Sequence, residues 1–328
     1  MGRSGRLMQA AAALACAASK QLPPRLLVCD FDSTITRHDS VSALLSHSPV
    51  CRSQRALVPR LVRLYLQDLE GVTAWLEAGD LEKALNLMGE VEHASLDRIE
   101  AANVLGGIQP ATFKPPITIP HADNYQTNSD AEDPVGQVQL RAFATEALRA
   151  AAAVGVPVHV CSANWCKEWI RVGLGDAAAA VLSIDSNDIQ MADGGNVSSG
   201  ALVRKVVSPH DKLRSFQQLD ESALAAQPGA AALASVYIGD ALTDVLALQA
   251  ADVGIVVGSS ETLRRALAIA GKQVEPLSRA AGKNSGCVSP GIYTSSNWFE
   301  IAELLGFYNA KVQDGDGFGD NMKQHEHA

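Results

Sequence analysis

The chain has 328 residues, 47% of them hydrophobic and 19% charged, with a formal net charge of −9. That length allows a core domain and a smaller second unit, each large enough to bury an interior of its own. The composition is that of a globular protein, the acidic balance excludes a phosphate-backbone surface built from Lys and Arg, and no later stretch reaches the roughly 20 apolar residues that cross a bilayer.

Residues 1–24 carry Arg3 and Arg6, no acid and an Ala-rich run, the pattern of an organellar presequence. A secretory signal with Ala15 and Ala17 before its cleavage site competes with that reading. The six scattered cysteines (Cys16, Cys29, Cys51, Cys161, Cys166, Cys287) form no dense framework and point to buried thiols in a reducing compartment, cytoplasmic or organellar (mitochondrion or plastid). The first strand is the apolar run Leu26–Cys29, bounded by prolines before it and acids after it.

Residues 40–105 take up a helical period. Val58, Leu61, Val62, Tyr65 and Leu69 share one face, and Leu81, Ala84, Leu85 and Met88 share another, so this segment predicts a small helical unit with Asp80 and Ser95 as N-caps. Residues 106–137, with Pro110, Pro115, Pro116, Pro120 and Pro134, predict a disordered insertion. Alternation then begins: a helix from Val138 to Val154, strands at Val156 to Cys161, near Val181 to Ile184 and at Ser235 to Ile238, a helix from Leu242 to Ala250, a strand from Val253 to Val257, and a helix from Glu261 to Ala270. Such alternation predicts an α/β fold, a parallel sheet wrapped by helices, assembled from residues 25–39 and 138–308. The polar, glycine-rich residues 309–328 predict a disordered tail.

In a sheet of this kind the chemistry gathers at the carboxyl ends of the strands. After the first strand come Asp30 and Asp32, two residues apart and able to project to one side of an extended chain. Ser162 follows another strand; Gly239, Asp240 and Asp244 follow a third, and Lys212 lies between them. One strand-end Asp is most often a helix cap. DFDST, a lone Ser, an isolated Lys and GDxxxD in this order are far more specific.

The stretches DFDSTIT, VHVCS, Lys212 and YIGDALTD resemble the four motifs of haloacid dehalogenase (HAD) superfamily phosphatases, over nearly the whole chain from Leu26. The resemblance implies a HAD-like Rossmannoid three-layer sandwich with a cap, residues 40–105, inserted after the first strand. It implies Asp30 as nucleophile and Asp32 as general acid/base. Ser162 and Ala163 would hold the phosphoryl group and Lys212 would neutralise its charge. Mg²⁺ would be held by Asp30, the Asp32 backbone carbonyl and Asp240, with Asp244 behind it or joined through water. Asp32 separates the chain from true dehalogenases of the superfamily, which lack the second acid and the metal.

The implied reaction is hydrolysis of a small-molecule phosphate ester, with no nucleic-acid or membrane partner and an open oligomeric state. RKVVSPHDK, SVYIGDALTDVLALQAADVGIVV, SSETLRR and YTSSNWFEI are similar to the phosphatase domain of plant thiamin monophosphate phosphatases, without the helical TenA-type domain joined to it there. That makes thiamin monophosphate the expected substrate, with Asp39, Trp165 and Trp298 as candidate contacts to its cationic ring. Phosphoserine, nucleotides and pyridoxal phosphate are the alternatives. A phosphate-sensing protein of negligible turnover is the alternative of another class. The Asn196 sequon, the EF-hand-like DGDGFGD and the Cys161–Cys166 spacing are discounted as sites.

Overall fold

The computed structural model describes residues 23–118, 136–226, 233–280 and 288–307. The expected presequence up to residue 22, the middle of the expected insertion and the tail beyond residue 307 lie outside them. The described strands are, in chain order, β1 (Leu26–Cys29), β2 (Ile117–Thr118), β3 (Gln139–Leu140), β4 (Val158–Cys161), β5 (Ser183–Asp185), β6 (Asp188–Met191), β7 (Ser198–Val203), β8 (Ser235–Gly239), β9 (Val253–Val256), β10 (Val274–Pro276) and β11 (Gly291–Thr294). The helices are α1 (Val41–Leu45), α2 (Pro49–Ser53), α3 (Leu57–Glu77), α4 (Leu81–Ala101), α5 (Ala144–Ala153), α6 (Lys167–Gly173), α7 (Pro209–Ala226), α8 (Val245–Ala250), α9 (Glu261–Ile269) and α10 (Trp298–Leu304).

Among the described residues seven strands form one parallel sheet, in the order β10-β11-β9-β8-β1-β4-β5. LLVC of β1 is buried at every position because both faces of a parallel sheet are covered, so an unbroken apolar run suits it better than alternation. Leu27 and Cys29 enter one core with Ala144, Leu148, Trp169 and Ile301. Leu26 and Val28 enter the opposite core with Phe216, Leu248 and Leu263, and Val72, Leu76 and Leu85 of α3 and α4 join that same cluster. This is the three-layer α/β arrangement expected from the sequence.

The register places the site. Cys29 is level with Val160 of β4 and with Ile238 of β8, so the residues that follow these three adjacent strands emerge along one edge of the sheet. At β1 the chain crosses to β4 on one side and β8 on the other, and such a reversal opens a crevice at the strand ends.

Some elements differ from their expected form. Asp80 caps α4, accepting from the Lys83 N–H at 3.1 Å, but Ser95 lies inside the same 21-residue helix and caps nothing. Residues 139–140 form β3, paired with β2, and the helix expected from Val138 begins only at Ala144. The described ends of the expected disordered insertion are ordered: Ile108 is fully buried and Ile117–Thr118 form β2. An antiparallel hairpin, β6 and β7, and the strands β10 and β11 at one end of the sheet are additional to the expected elements.

Candidate active site

The chain leaves β1 at Asp30 and turns at once. The carbonyl of Phe31 accepts the N–H groups of Thr34, Ile35 and Thr36, and Ser33 takes a left-handed φ of +55°. The extended geometry expected to align Asp30 with Asp32 therefore ends at Cys29, and the two carboxylates part. Asp30 faces Lys212, whose Nζ donates to its Oδ2 at 2.7 Å. Asp32 turns to the other side, where the Ser40 N–H donates to its Oδ1 at 2.8 Å and the Asn164 amide to its Oδ2 at 2.7 Å. The loop is pinned from behind. The Trp298 indole donates to the Thr34 carbonyl at 3.1 Å, and Thr34 Oγ1 donates to Asp240 at 2.9 Å.

Lys212 sits in the first turn of α7 and is 1% exposed. Its ammonium also donates to Asp244 Oδ1 at 2.6 Å. Asp244, fully buried, accepts besides from Tyr237 OH at 2.8 Å and from the backbone N–H groups of Asp240 and Ala241 at 3.2 and 3.0 Å. Its carboxyl thus ties β8 to the turn that follows. A Cβ on Gly239 would stand 2.4 Å from Asp244 Cγ, so this glycine is required for the close approach of that carboxylate.

Asp30, Asp240 and Asp244 bring a carboxylate oxygen each to within 4.8 Å of one another, and Lys212 is the cation bonded among them. The electrostatics record the surplus of negative charge. Burial, then the neighbouring Asp244 and Asp30, push the Asp240 carboxyl up to about 8. Burial raises Asp30 to about 6 against the pull of Lys212, and raises Asp32 to about 6 with help from Asp39 and against its bonds from Ser40 and Asn164. A divalent cation between Asp30 and Asp240 would return both to their ordinary ionised form, and an all-oxygen donor set suits Mg²⁺. Asp244, with four donors already on its oxygens, fits the role of support behind such an ion. The Asp32 side chain is bonded to Ser40 and Asn164 and not to this cluster, leaving its backbone for that purpose.

Ser162, 1% exposed, follows β4 with its N–H bonded to the Asp185 carbonyl at 2.9 Å. The Ala163 carbonyl accepts from Asn187 at 3.0 Å, and that amide also bonds both ways to the 205–206 backbone, fixing the loop. The structure thus brings Asp30, Lys212, Asp240 and Asp244 into one connected network, while Asp32 and Ser162 are linked to each other through Asn164, whose N–H donates to Ser162 Oγ at 3.3 Å and whose amide donates to Asp32.

Trp298 is corrected as a contact residue: it is 1% exposed and its indole is spent on Thr34. Trp165 is half-buried against the core. Asp39 is exposed and accepts from the Val41 N–H at 2.7 Å. Its carboxyl lies high because of the surrounding protein and the charge of Asp30. Sequence reasoning missed Asn164, Thr34, Tyr237 and a pair on the helices: Tyr65 OH donates to Glu92 at 2.7 Å. Glu92 is raised first by burial, with Tyr65 and Lys212 pulling it down and Asp39 pushing it up.

Among known proteins, 159 residues are 31% identical to the bifunctional TH2 protein, mitochondrial, of Arabidopsis thaliana, covering 44% of this chain and 25% of that protein. The chain thus spans about a quarter of the length of this relative. A CTO1 family protein of Schizosaccharomyces pombe is 26% identical over 259 residues, covering 72% of this chain and 82% of its own. No family model matches. Substrate-bound phosphoserine phosphatase aligns over 75% of this chain and 91% of its own, at 13% identity and a TM-score of 0.43. Among the described residues no helix is long and apolar enough to cross a membrane. In its motif stretches and in the order of its strand ends the chain resembles the phosphatases of the haloacid dehalogenase superfamily.

Proposed function

We propose that this chain is a Mg²⁺-dependent phosphomonoester hydrolase of the haloacid dehalogenase type, acting on a small molecule through a phosphoryl group carried on Asp30. The observation that carries the reading is the Lys212 ammonium bridging Asp30 and Asp244 with Asp240 in reach, at the ends of adjacent parallel strands, while Asp32 stands apart on its own donors.

Asp30 Oδ attacks phosphorus as the P–O bond to the alcohol breaks, and Asp32 gives its proton to the departing oxygen. Asp32, now ionised, then takes a proton from a water that attacks the same phosphorus, releasing phosphate and restoring Asp30. An acid raised to about 6 suits both halves, because its proton is neither too tightly nor too loosely held near neutrality. Lys212 and the Ser162 hydroxyl hold charge on the phosphoryl oxygens. When bound, Mg²⁺ supplies further compensation for the oxygens gathered there.

For the leaving group we take thiamin monophosphate as the preferred substrate. The support is the match to the TH2 protein and the acids Asp39, which follows β1, and Glu92 with Tyr65 on the helices that we read as the cap, which would stabilise a cationic ring. The test is phosphate release across thiamin monophosphate, phosphoserine, pyridoxal phosphate and nucleoside monophosphates, with Mg²⁺ and with chelator. Preference for thiamin monophosphate supports the full reading. Another winner keeps the phosphatase and discards the thiamin assignment, whereas no Mg²⁺-dependent release with any ester discards both.

A further inference from the structure

An amide that the motif pattern does not explain holds the proton carrier. Asn164 is 2% exposed, and the orientation of its amide is fixed by its neighbours. The Cys166 N–H can only donate, so the oxygen that meets it at 3.1 Å is Oδ1, and Nδ2 is turned onto Asp32 Oδ2 at 2.7 Å. The same Nδ2 reaches Ser40 Oγ at 3.3 Å, where the fully buried Trp169 indole also donates, at 2.9 Å. The Ser40 N–H completes the set on Asp32 Oδ1. Each Asp32 oxygen accepts one bond and keeps a second lone-pair position for a proton. The turn before α1 and the loop that runs from β4 into α6 thus meet at Asp32 and Ser40, with Trp169 of α6 bonded to the latter.

We propose that Asn164, braced by Ser40 and Trp169, is the positioning residue that holds the Asp32 carboxyl for proton delivery to the leaving oxygen. The inference rests on the phosphatase reading above and on Asp32 as its proton donor. In the step concerned, the bond from Asp30 to phosphorus forms while the ester P–O bond breaks. The electron pair leaves on the alcohol oxygen, and the proton that neutralises it comes from Asp32. An alkyl alkoxide needs that proton; a nitrophenolate, whose ring spreads the charge, does not.

The test compares kcat/KM, which reports the steps through departure of the alcohol, for phosphoserine and thiamin monophosphate against p-nitrophenyl phosphate. Asn164→Ala and Asn164→Asp are assayed beside the wild type. Asn164→Asp keeps the size and the acceptor for Cys166 but sets an oxygen against Asp32. Both variants are expected to lose about 100-fold on the alkyl esters, the low end of what general acid catalysis contributes, and less than about 10-fold on the nitrophenyl ester. KM should change little. Trp169→Phe, which removes the indole donor behind Ser40, is expected to show a smaller loss of the same selective kind, and it decides the matter if the Asn164 variants fail to fold. Equal losses on both ester types, or none, overturn the inference. A wild type inactive on all three esters overturns the phosphatase reading instead, so the two failures are distinguishable.

Discussion

Lys212→Met removes the ammonium that lies between Asp30 and Asp244 at 2.7 and 2.6 Å and leaves the side-chain volume nearly unchanged. This pair is shielded from water, since Lys212 is 1% exposed and Asp244 fully buried. Removing one partner of a buried pair costs about 3–5 kcal/mol, because the remaining charge stays buried without compensation. Two carboxylates share this ammonium, so the loss belongs at the upper end, about 5 kcal/mol in metal-free buffer at pH 8. For a chain of this size, at about 2–4 °C per kcal/mol, the unfolding midpoint falls by roughly 10–20 °C. Thermal unfolding followed by circular dichroism, in chelator, measures it. Adding Asp244→Asn to the variant removes one of the stranded charges, so the double variant should be less damaged than the sum of the singles by at least about 1 kcal/mol. A Lys212→Met protein that melts within about 2 °C of the wild type refutes the reasoning, since the network would then contribute nothing to the fold.

The raised carboxylates give a pH dependence of stability with a definite sign. Asp240 at about 8 and Asp30 at about 6 stand above the ordinary 3.8, so their protonated forms favour the folded state, and that contribution is lost as pH rises through the window from about 4 to 8. Metal-free protein should therefore melt lower at pH 8 than at pH 5, while added Mg²⁺ should stabilise more at pH 8, where the carboxylates are ionised. The lowered acids Asp185, Asp211 and Asp252 act in the opposite sense but below about pH 4. A chelated protein as stable at pH 8 as at pH 5 would contradict this. Trp298→Phe removes the donor to the Thr34 carbonyl and should cost about 1–3 kcal/mol by urea unfolding, yet leave the ranking of substrates unchanged. A reversed ranking would return Trp298 to the substrate pocket.

Much of this architecture is legible in local pattern. β1, β4, β8 and β9 are short apolar runs with turn residues or acids behind them, and their order alone implies the parallel sheet and the edge where its chemistry lies. What escapes is decided by distant contacts. Gln139–Leu140 are drawn into strand pairing by Ile117–Thr118, across a gap no periodicity bridges. Ser95 looks like a cap, but Val91, Leu96 and Ile99 carry the buried face of α4 past it on both sides. The β6–β7 hairpin is not among the expected elements, although Asp193-Gly194-Gly195-Asn196, where both glycines take positive φ, is a turn signal that could have marked it. At the site, Asp30, Ser162, Lys212, Asp240 and Asp244 are marked by residue type and order. The amide of Asn164 and the phenol of Tyr237 are ordinary residues in a sequence, and they acquire a role only when the fold turns them onto Asp32 and Asp244.

The central claim is that Asp30 carries the phosphoryl group. Wild-type protein mixed with p-nitrophenyl phosphate and Mg²⁺, quenched in acid within the first turnover and digested, should yield a phosphorylated peptide containing Asp30. Asp30→Asn should yield none and release no phosphate. An Asp30→Asn protein that releases phosphate at the wild-type rate, or a phosphorylated residue elsewhere in the chain, would contradict the account.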